Sequence, residues 1–355
     1  MSGPCRAAPR RRFFAAGVAL NMIVALAACG GGAAAPQLPD SGEADIPAPA
    51  SDGSGGSPAV DAPAIDAPAI DAPAIDGELP VMCSPCTEYG PVAKLGNVID
   101  PDLKGLSGIA VSRRNPGVLY VHNDGPQPVY FAINEAGATL ATFGVTGAAV
   151  LDVEDMAIGP CPDGNCVYLA DIGDNRAPRP DYTILRMPEP AVDTNAPATL
   201  TAVTAEQLRF TYPDGAHNAE SLLVDPRTSN LYVITKVTAG NRSAVYRLPA
   251  GFGQTAAGVA TKVTDLAVSV ATSAPITGAD AHPCGTGFLL RTNDTLFEFR
   301  IPASAPFEDA FQALPVAVPI ANEKQGEAVA YSPDGRAYYM TSEGDTPPIH
   351  RAVCR

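Results

Sequence analysis

The sequence predicts an all-β chain folded as a β-propeller, with five four-stranded blades the leading arrangement and six the runner-up. Three observations carry this reading. "LSGIAVSRRNPGVLYVHNDG" (106–125), "NAESLLVDPRTSNLYVITK" (218–236) and "QGEAVAYSPDGRAYYMTSEG" (325–344) share one plan: a short apolar strand, a polar turn, a second strand with Tyr or Leu, and a polar exit. Apolar residues alternate over short runs that Pro and Gly interrupt, which is strand spacing and not helix spacing. The unit returns about every 50 residues, the period of a propeller blade. A β-sandwich also has short alternating strands, but it does not explain a repeated unit.

From the N-terminus, residues 1–29 read as an export signal. Arg6, Arg10, Arg11 and Arg12 precede an apolar run over 13–26, too short for a ~30 Å hydrocarbon core that needs about 20 residues. Leu26-Ala27-Ala28-Cys29 resembles a bacterial lipobox, which implies lipidation of Cys29, anchoring to a lipid membrane, and a place in the cell envelope facing the periplasm or the exterior. "RRRFF" (10–14) resembles a twin-arginine signal, and both Sec and twin-arginine export stay open.

Residues 30–82 read as a disordered tether. They are dense in Ala, Pro, Gly, Ser and Asp, and "DAPAI" runs three times without a break over 61–75. Such a segment has too little apolar surface to offset its ordering entropy. The whole chain carries a formal charge of −15. Residues 81–355 hold 29 acidic and 19 basic residues, a net near −10. That balance excludes a nucleic-acid partner, whose phosphates need a basic face.

The propeller is expected over 83–355. Its first strands align as Leu106-Ser-Gly-Ile-Ala110, Val153-Glu-Asp-Met-Ala157, Ala219-Glu-Ser-Leu-Leu223, Thr277-Gly-Ala-Asp-Ala281 and Gly326-Glu-Ala-Val-Ala330. Their second positions, 107, 154, 220, 278 and 327, are 47, 66, 58 and 49 residues apart. The long second unit leaves room for a sixth blade. The last unit holds three strands only, and "PVAKLGNVI" (91–99) is available as its fourth. An N-terminal strand in the C-terminal blade would close the ring and cover its edges. A monomer is expected.

Cysteine usage points to an oxidising compartment. Cys5 lies in the signal and Cys29 is the lipidation site, leaving Cys83, Cys86, Cys161, Cys166, Cys284 and Cys354. Cys161 and Cys166 bracket a turn and should form a disulfide, and Cys354 should join Cys83 or Cys86 at the ring closure. The partner of Cys284 stays open. Zinc at Cys83-x-x-Cys86 is the rival reading, but a second pair at metal spacing is missing.

In such a blade the start of the first strand and the end of the second lie at one end, and first strands line the channel. Asp124, Glu154, Asp171, Asp174, Glu220, Glu327 and Glu343 should therefore surround one mouth, with Lys236, Arg291 and Arg176 as candidate counter-charges. Crowded carboxylates repel unless protonated or paired with cations, and a hard oxygen-ligated cation, Ca2+ above others, would relieve them. The bland reading is that each glutamate caps backbone or pairs with arginine. His122 and His217 could also face the mouth. No Gly-x-Ser-x-Gly and no phosphate-cradling or dinucleotide glycine loop occurs.

"DVEDMAIGP…VYLADIGDN", "AESLLVDPRTSNLYVITK" and "GEAVAYSPDGRAYYMTSEG" resemble a group of secreted bacterial β-propeller lipoproteins of unassigned activity, over most of 100–355. More distantly the pattern is similar to esterase-like phytase propellers. That likeness implies a carboxylate-lined mouth binding calcium and phosphate, although no phosphate-binding lysine–arginine set can be matched residue by residue. The expected function is a membrane-tethered extracytoplasmic propeller that binds a cation, a small ligand or a protein at its acidic mouth. The alternative is a calcium-dependent hydrolase of phosphate esters or simple esters.

Overall fold

The computed structural model describes residues 86–175, 178–196, 198–237, 241–267, 269 and 274–355. The expected signal (1–29), the tether (30–82), Cys83 and Arg176 lie outside them. Strand β1 (Ala93–Asn97) is followed by the first blade, β2 (Leu106–Val111), β3 (Val118–Asn123), β4 (Val129–Asn134) and β5 (Thr139–Thr146). The second blade holds β6 (Val153–Cys161), β7 (Gly164–Asp171) and β8 (Tyr182–Pro188). Strand β9 (Thr199–Thr204) leaves it, and β10 (Glu206–Thr211) returns to it. The third blade has β11 (Ala219–Val224), β12 (Leu231–Thr235) and β13 (Ala244–Arg247), then β14 (Gly258–Val259) and β15 (Thr261–Asp265). The fourth comprises β16 (Ile276–Ala281), β17 (Gly287–Thr292), β18 (Leu296–Arg300) and β19 (Val316–Ala317), and the fifth β20 (Gly326–Tyr331), β21 (Ala337–Ser342) and β22 (Pro348–Val353).

The five sheets form five blades, and β2, β6, β11, β16 and β20 pack side by side around a ring. Every residue of β2, β11, β16 and β20 is buried, as expected for strands covered on both faces. Apolar clusters fill the wedges between blades. One, for example, joins Tyr168, Tyr182 and Phe210 of the second blade to Leu222, Val233 and Tyr246 of the third.

The long second and third units do not hide a sixth blade. Their extra residues form β9, which pairs parallel to β5 on the outside of the first blade, and β14, which pairs parallel to β10 on the second. Each inserted segment thus reaches back and covers the outer edge of the preceding blade.

β1 pairs antiparallel with β22, so the first described strand completes the last blade. Cys86 is bonded to Cys354 and Cys161 to Cys166. Cys284 is also disulfide-bonded. With its sulfur in a disulfide, Cys86 is not a zinc thiolate, which removes the zinc alternative. The closure bridge spans 268 residues. Cys86→Ser/Cys354→Ser should lose about 2–4 kcal/mol of unfolding free energy, read from urea denaturation. A loss below about 0.5 kcal/mol would show that strand pairing alone closes the ring.

Each inner strand carries a bulge at its second residue: Ser107, Glu154, Glu220, Thr277 and Glu327. A bulge inserts one unpaired residue and re-aims its side chain. The fourth unit is therefore shifted by one from the sequence alignment. Ile276 occupies the place of Leu106, and Thr277, not Gly278, is equivalent to the glutamates.

Candidate functional site

The five bulged residues define the wall of the channel mouth, and they divide by chemistry. Ser107 Oγ donates to Glu154 O of the next blade (2.6 Å), and Thr277 Oγ1 donates to Gly326 O of the next blade (3.0 Å). These hydroxyls stitch neighbouring blades together. The other three positions are glutamates, all buried: Glu154 at 4 %, Glu220 at 3 % and Glu327 at 7 % exposure. Beneath them, Asp155 reaches from the second blade to accept Leu222 N of the third (2.8 Å) and Ala279 N of the fourth (3.4 Å). Burial pushes the Asp155 carboxyl well above its usual range.

Asp124, Asp152 and Glu154 offer one carboxylate oxygen each within 4.8 Å of one another. Asp124 follows β3 and Asp152 precedes β6, so the ends of two adjacent blades supply the set. Glu154 Oε1 is buried with no hydrogen-bond partner. Burial, then Glu220, Asp124 and Asp152, push the Glu154 carboxyl up to about 10. Burial and then Asp124 raise Asp152. Hard oxygen donors, concentrated negative charge and an unsatisfied buried oxygen match what a divalent cation such as calcium requires.

The "DIGDN" run frames this cluster. Asp171 is gripped by Arg179 through two bonds (2.9 and 2.6 Å), and its Oδ1 also accepts Leu151 N and Asp152 N (3.0 and 2.8 Å). It therefore fixes the backbone that presents Asp152. A Cβ at Gly173 would fall 2.3 Å from Glu154 Oε1 and 2.4 Å from Asp152 Oδ2, so only glycine leaves room for both carboxylates. Asp174 accepts Tyr182 OH (2.7 Å) and Arg179 N (3.1 Å), and its own N–H donates to Asn218 Oδ1 (2.7 Å).

The remaining glutamates come from the third and fifth blades, and Glu220 acts directly on Glu154. Glu220 takes Lys236 Nζ at 2.6 Å. Burial raises the Glu220 carboxyl and Lys236 opposes it. Burial lowers Lys236, but Glu220, Glu154 and Glu327 outweigh that and hold it above the usual lysine range. Glu327 accepts Asn293 Nδ2 (3.1 Å), and burial pushes it up to about 7, with Glu343 and Glu220 adding to the rise. Glu343 lies half-buried at the end of β21.

The other sequence-nominated groups are placed differently. Arg291 is wholly buried and donates to Ala328 O (2.9 Å), Thr341 O (3.2 Å) and Glu323, whose second oxygen meets His350 Nδ1 (2.7 Å). It is a clip between the fourth and fifth blades and not a counter-charge for the mouth. His122 is buried, and burial lowers it to about 4. His217 is held by Asp214 and Tyr246 OH, both at 3.0 Å.

Asp152, which the sequence puts at the start of the second unit's first strand without naming it to the metal set, joins the site, and two more residues escaped the sequence reading. Gly173 acts through what it lacks, and Glu323 sits in a loop outside the repeat.

No protein-family model matches the chain, and no curated protein matches it. Among solved structures, a Thermus thermophilus protein described as a putative oxidoreductase (glucose dehydrogenase) aligns at 14% identity and TM-score 0.41, covering 75% of this chain and 100% of that one. A gluconolactonase from Xanthomonas campestris aligns at 11% identity and TM-score 0.42, covering 77% and 99%.

Proposed function

We propose that the chain is a lipid-anchored envelope propeller that holds a divalent cation, calcium, at Asp124, Asp152 and Glu154 and presents it to a ligand at the channel mouth. The observation that carries this reading is Glu154, whose buried Oε1 has no partner and whose carboxylate belongs to a group of three with one oxygen each within 4.8 Å of one another. The anchor rests on the lipobox-like run ending at Cys29, and a Cys29→Ser chain that still incorporates labelled palmitate would remove it.

Hydrolysis is the second reading, supported by Glu327. Its carboxyl, pushed up by burial to about 7 and bonded to Asn293, titrates where a general acid or base works best.

Calorimetric titration with calcium tests the first reading. Wild type should bind one ion per chain. Gly173→Ala should lose at least about tenfold in affinity while melting within a few degrees of wild type, because the crowded atoms are the ends of flexible side chains. No calcium binding by the wild type would end this reading. Calcium-dependent turnover of phosphate or acyl esters, abolished by chelator and by Glu327→Gln, would favour the hydrolase.

A further inference from the structure

A groove of about 790 Å³ begins at Asp124 and runs outward over the first blade to β9. Its size suits a small-molecule ligand, and its inner end is one of the three carboxylates assigned to the cation. Its lining changes character along its length. Asp100 is already engaged, its two oxygens taking Asp102 N (3.0 Å) and Thr139 Oγ1 (2.5 Å). Asn123 is engaged likewise, with Asp102 O (2.6 Å) and Gly105 N (3.2 Å). The one cation in the lining is Lys104, exposed and without an ion pair among the described residues. Asp124 N donates to Gly105 O (2.7 Å), which brings the Lys104 segment beside the inner end.

Farther out the wall is apolar, with Phe131 on β4 and Leu200 on β9. Leu200 is 80 % exposed, the most exposed large apolar side chain described. Ile99 and Leu151, also exposed, adjoin Asp100 and Asp152 in sequence. Val129, Phe131 and Leu200 give this end of the groove an apolar wall on which a ligand's hydrocarbon part can be buried.

We infer that this groove binds an amphipathic anion, whose carboxylate or phosphate head meets the bound cation and Lys104 while its apolar tail lies across Phe131 to Leu200. The inference rests on the cation reading, since a groove walled by Asp100, Asp102 and Asp124 repels an anion unless a cation offsets them. It goes beyond that reading by naming the ligand's chemistry and the direction in which it lies. Lipid headgroups and free amphiphiles share this chemistry.

The test uses the Cys29→Ser chain, with hexanoate and acetate titrated in saturating calcium and in chelator. Hexanoate should bind at least about tenfold more tightly than acetate, and in calcium only, because each buried methylene contributes about fourfold. Leu200→Ser, at an exposed position the fold does not depend on, should weaken hexanoate by about three- to tenfold while leaving calcium and acetate binding unchanged. Lys104→Met should weaken both carboxylates. Calcium-dependent sedimentation with phosphatidylglycerol vesicles, lost in Leu200→Ser, would identify a lipid as the source, and hexanoate selectivity without it a free amphiphile. Calcium binding with no preference for hexanoate and no vesicle binding overturns the groove alone. Absence of calcium binding takes the cation site and the groove down together.

Discussion

Arg291→Met should destabilise the propeller by about 3–5 kcal/mol, because it strips the partner from a buried carboxylate. Arg291 is fully buried and the Glu323 side chain is 1 % exposed, with His350 as the remaining contact. The guanidinium also supplies the hydrogen bonds to Ala328 O and Thr341 O that join the fourth blade to the fifth. Gly326 is part of the same arrangement, since a Cβ there would fall 1.7 Å from Arg291 Nη2. Urea denaturation of Arg291→Met, Glu323→Gln and the double variant gives the coupling. The double variant should recover part of the loss, because no unpaired charge then remains buried. A single-variant cost below about 1 kcal/mol would show the pair to be incidental.

Glu154→Gln should have opposite effects with and without calcium. In the calcium-free protein the Glu154 carboxyl is held up to about 10 by burial and neighbouring carboxylates. The folded state therefore keeps a proton that the unfolded chain releases near pH 4.5. Stability from this group is fully present below that pH and is lost as pH rises toward the folded value. At pH 7 the substitution should recover up to roughly 3 kcal/mol, and the wild-type decline in melting temperature above about pH 5 should flatten. With calcium the order reverses. Wild type should gain about 2.7 kcal/mol at a calcium concentration about 100 times Kd, and the variant should gain little. Melting curves at pH 5, 7 and 9, each with calcium and with chelator, give all these comparisons. Equal calcium shifts in the two proteins would remove Glu154 from the site.

The blade plan was legible because it repeats. Leu106–Val111, Ala219–Val224 and Gly326–Tyr331 each present a fully buried strand after a polar stretch, and the three-strand remainder after Glu327 called for β1. The added outer strands β9 and β14 were not legible. Thr199–Thr204 is almost wholly exposed and carries no apolar pattern to announce which blade it joins. The register error at Gly278 has a related cause. A bulge breaks the two-residue period, so matching small residues to small residues shifted the fourth unit by one.

The site was partly legible. Convergence of Glu154, Glu220 and Glu327 follows from topology, and so does their unequal company. The sequence could not show that Glu220 is taken by Lys236 and Asp171 by Arg179 while Glu154 keeps an orphan oxygen. Those pairings depend on rotamers and on the space above Gly173, which one-dimensional spacing does not encode.

The pairing of β1 with β22 has a consequence for synthesis. β1 emerges from the ribosome early, yet β22, its hydrogen-bonded partner among the described strands, is made only after the four intervening blades. Until then β1 presents a bare strand edge, and the first blade can form while the fifth cannot. Long-range closure of this kind is slow, so the chain passes through an open-ring state that is vulnerable to proteolysis and to pairing with other nascent chains. A circular permutant of residues 86–355 opened in the 343–347 turn, with residue 355 joined by a short linker to residue 86, would synthesise β22 and β1 consecutively. It should fold with a shorter lag, at the cost of placing new termini beside the mouth.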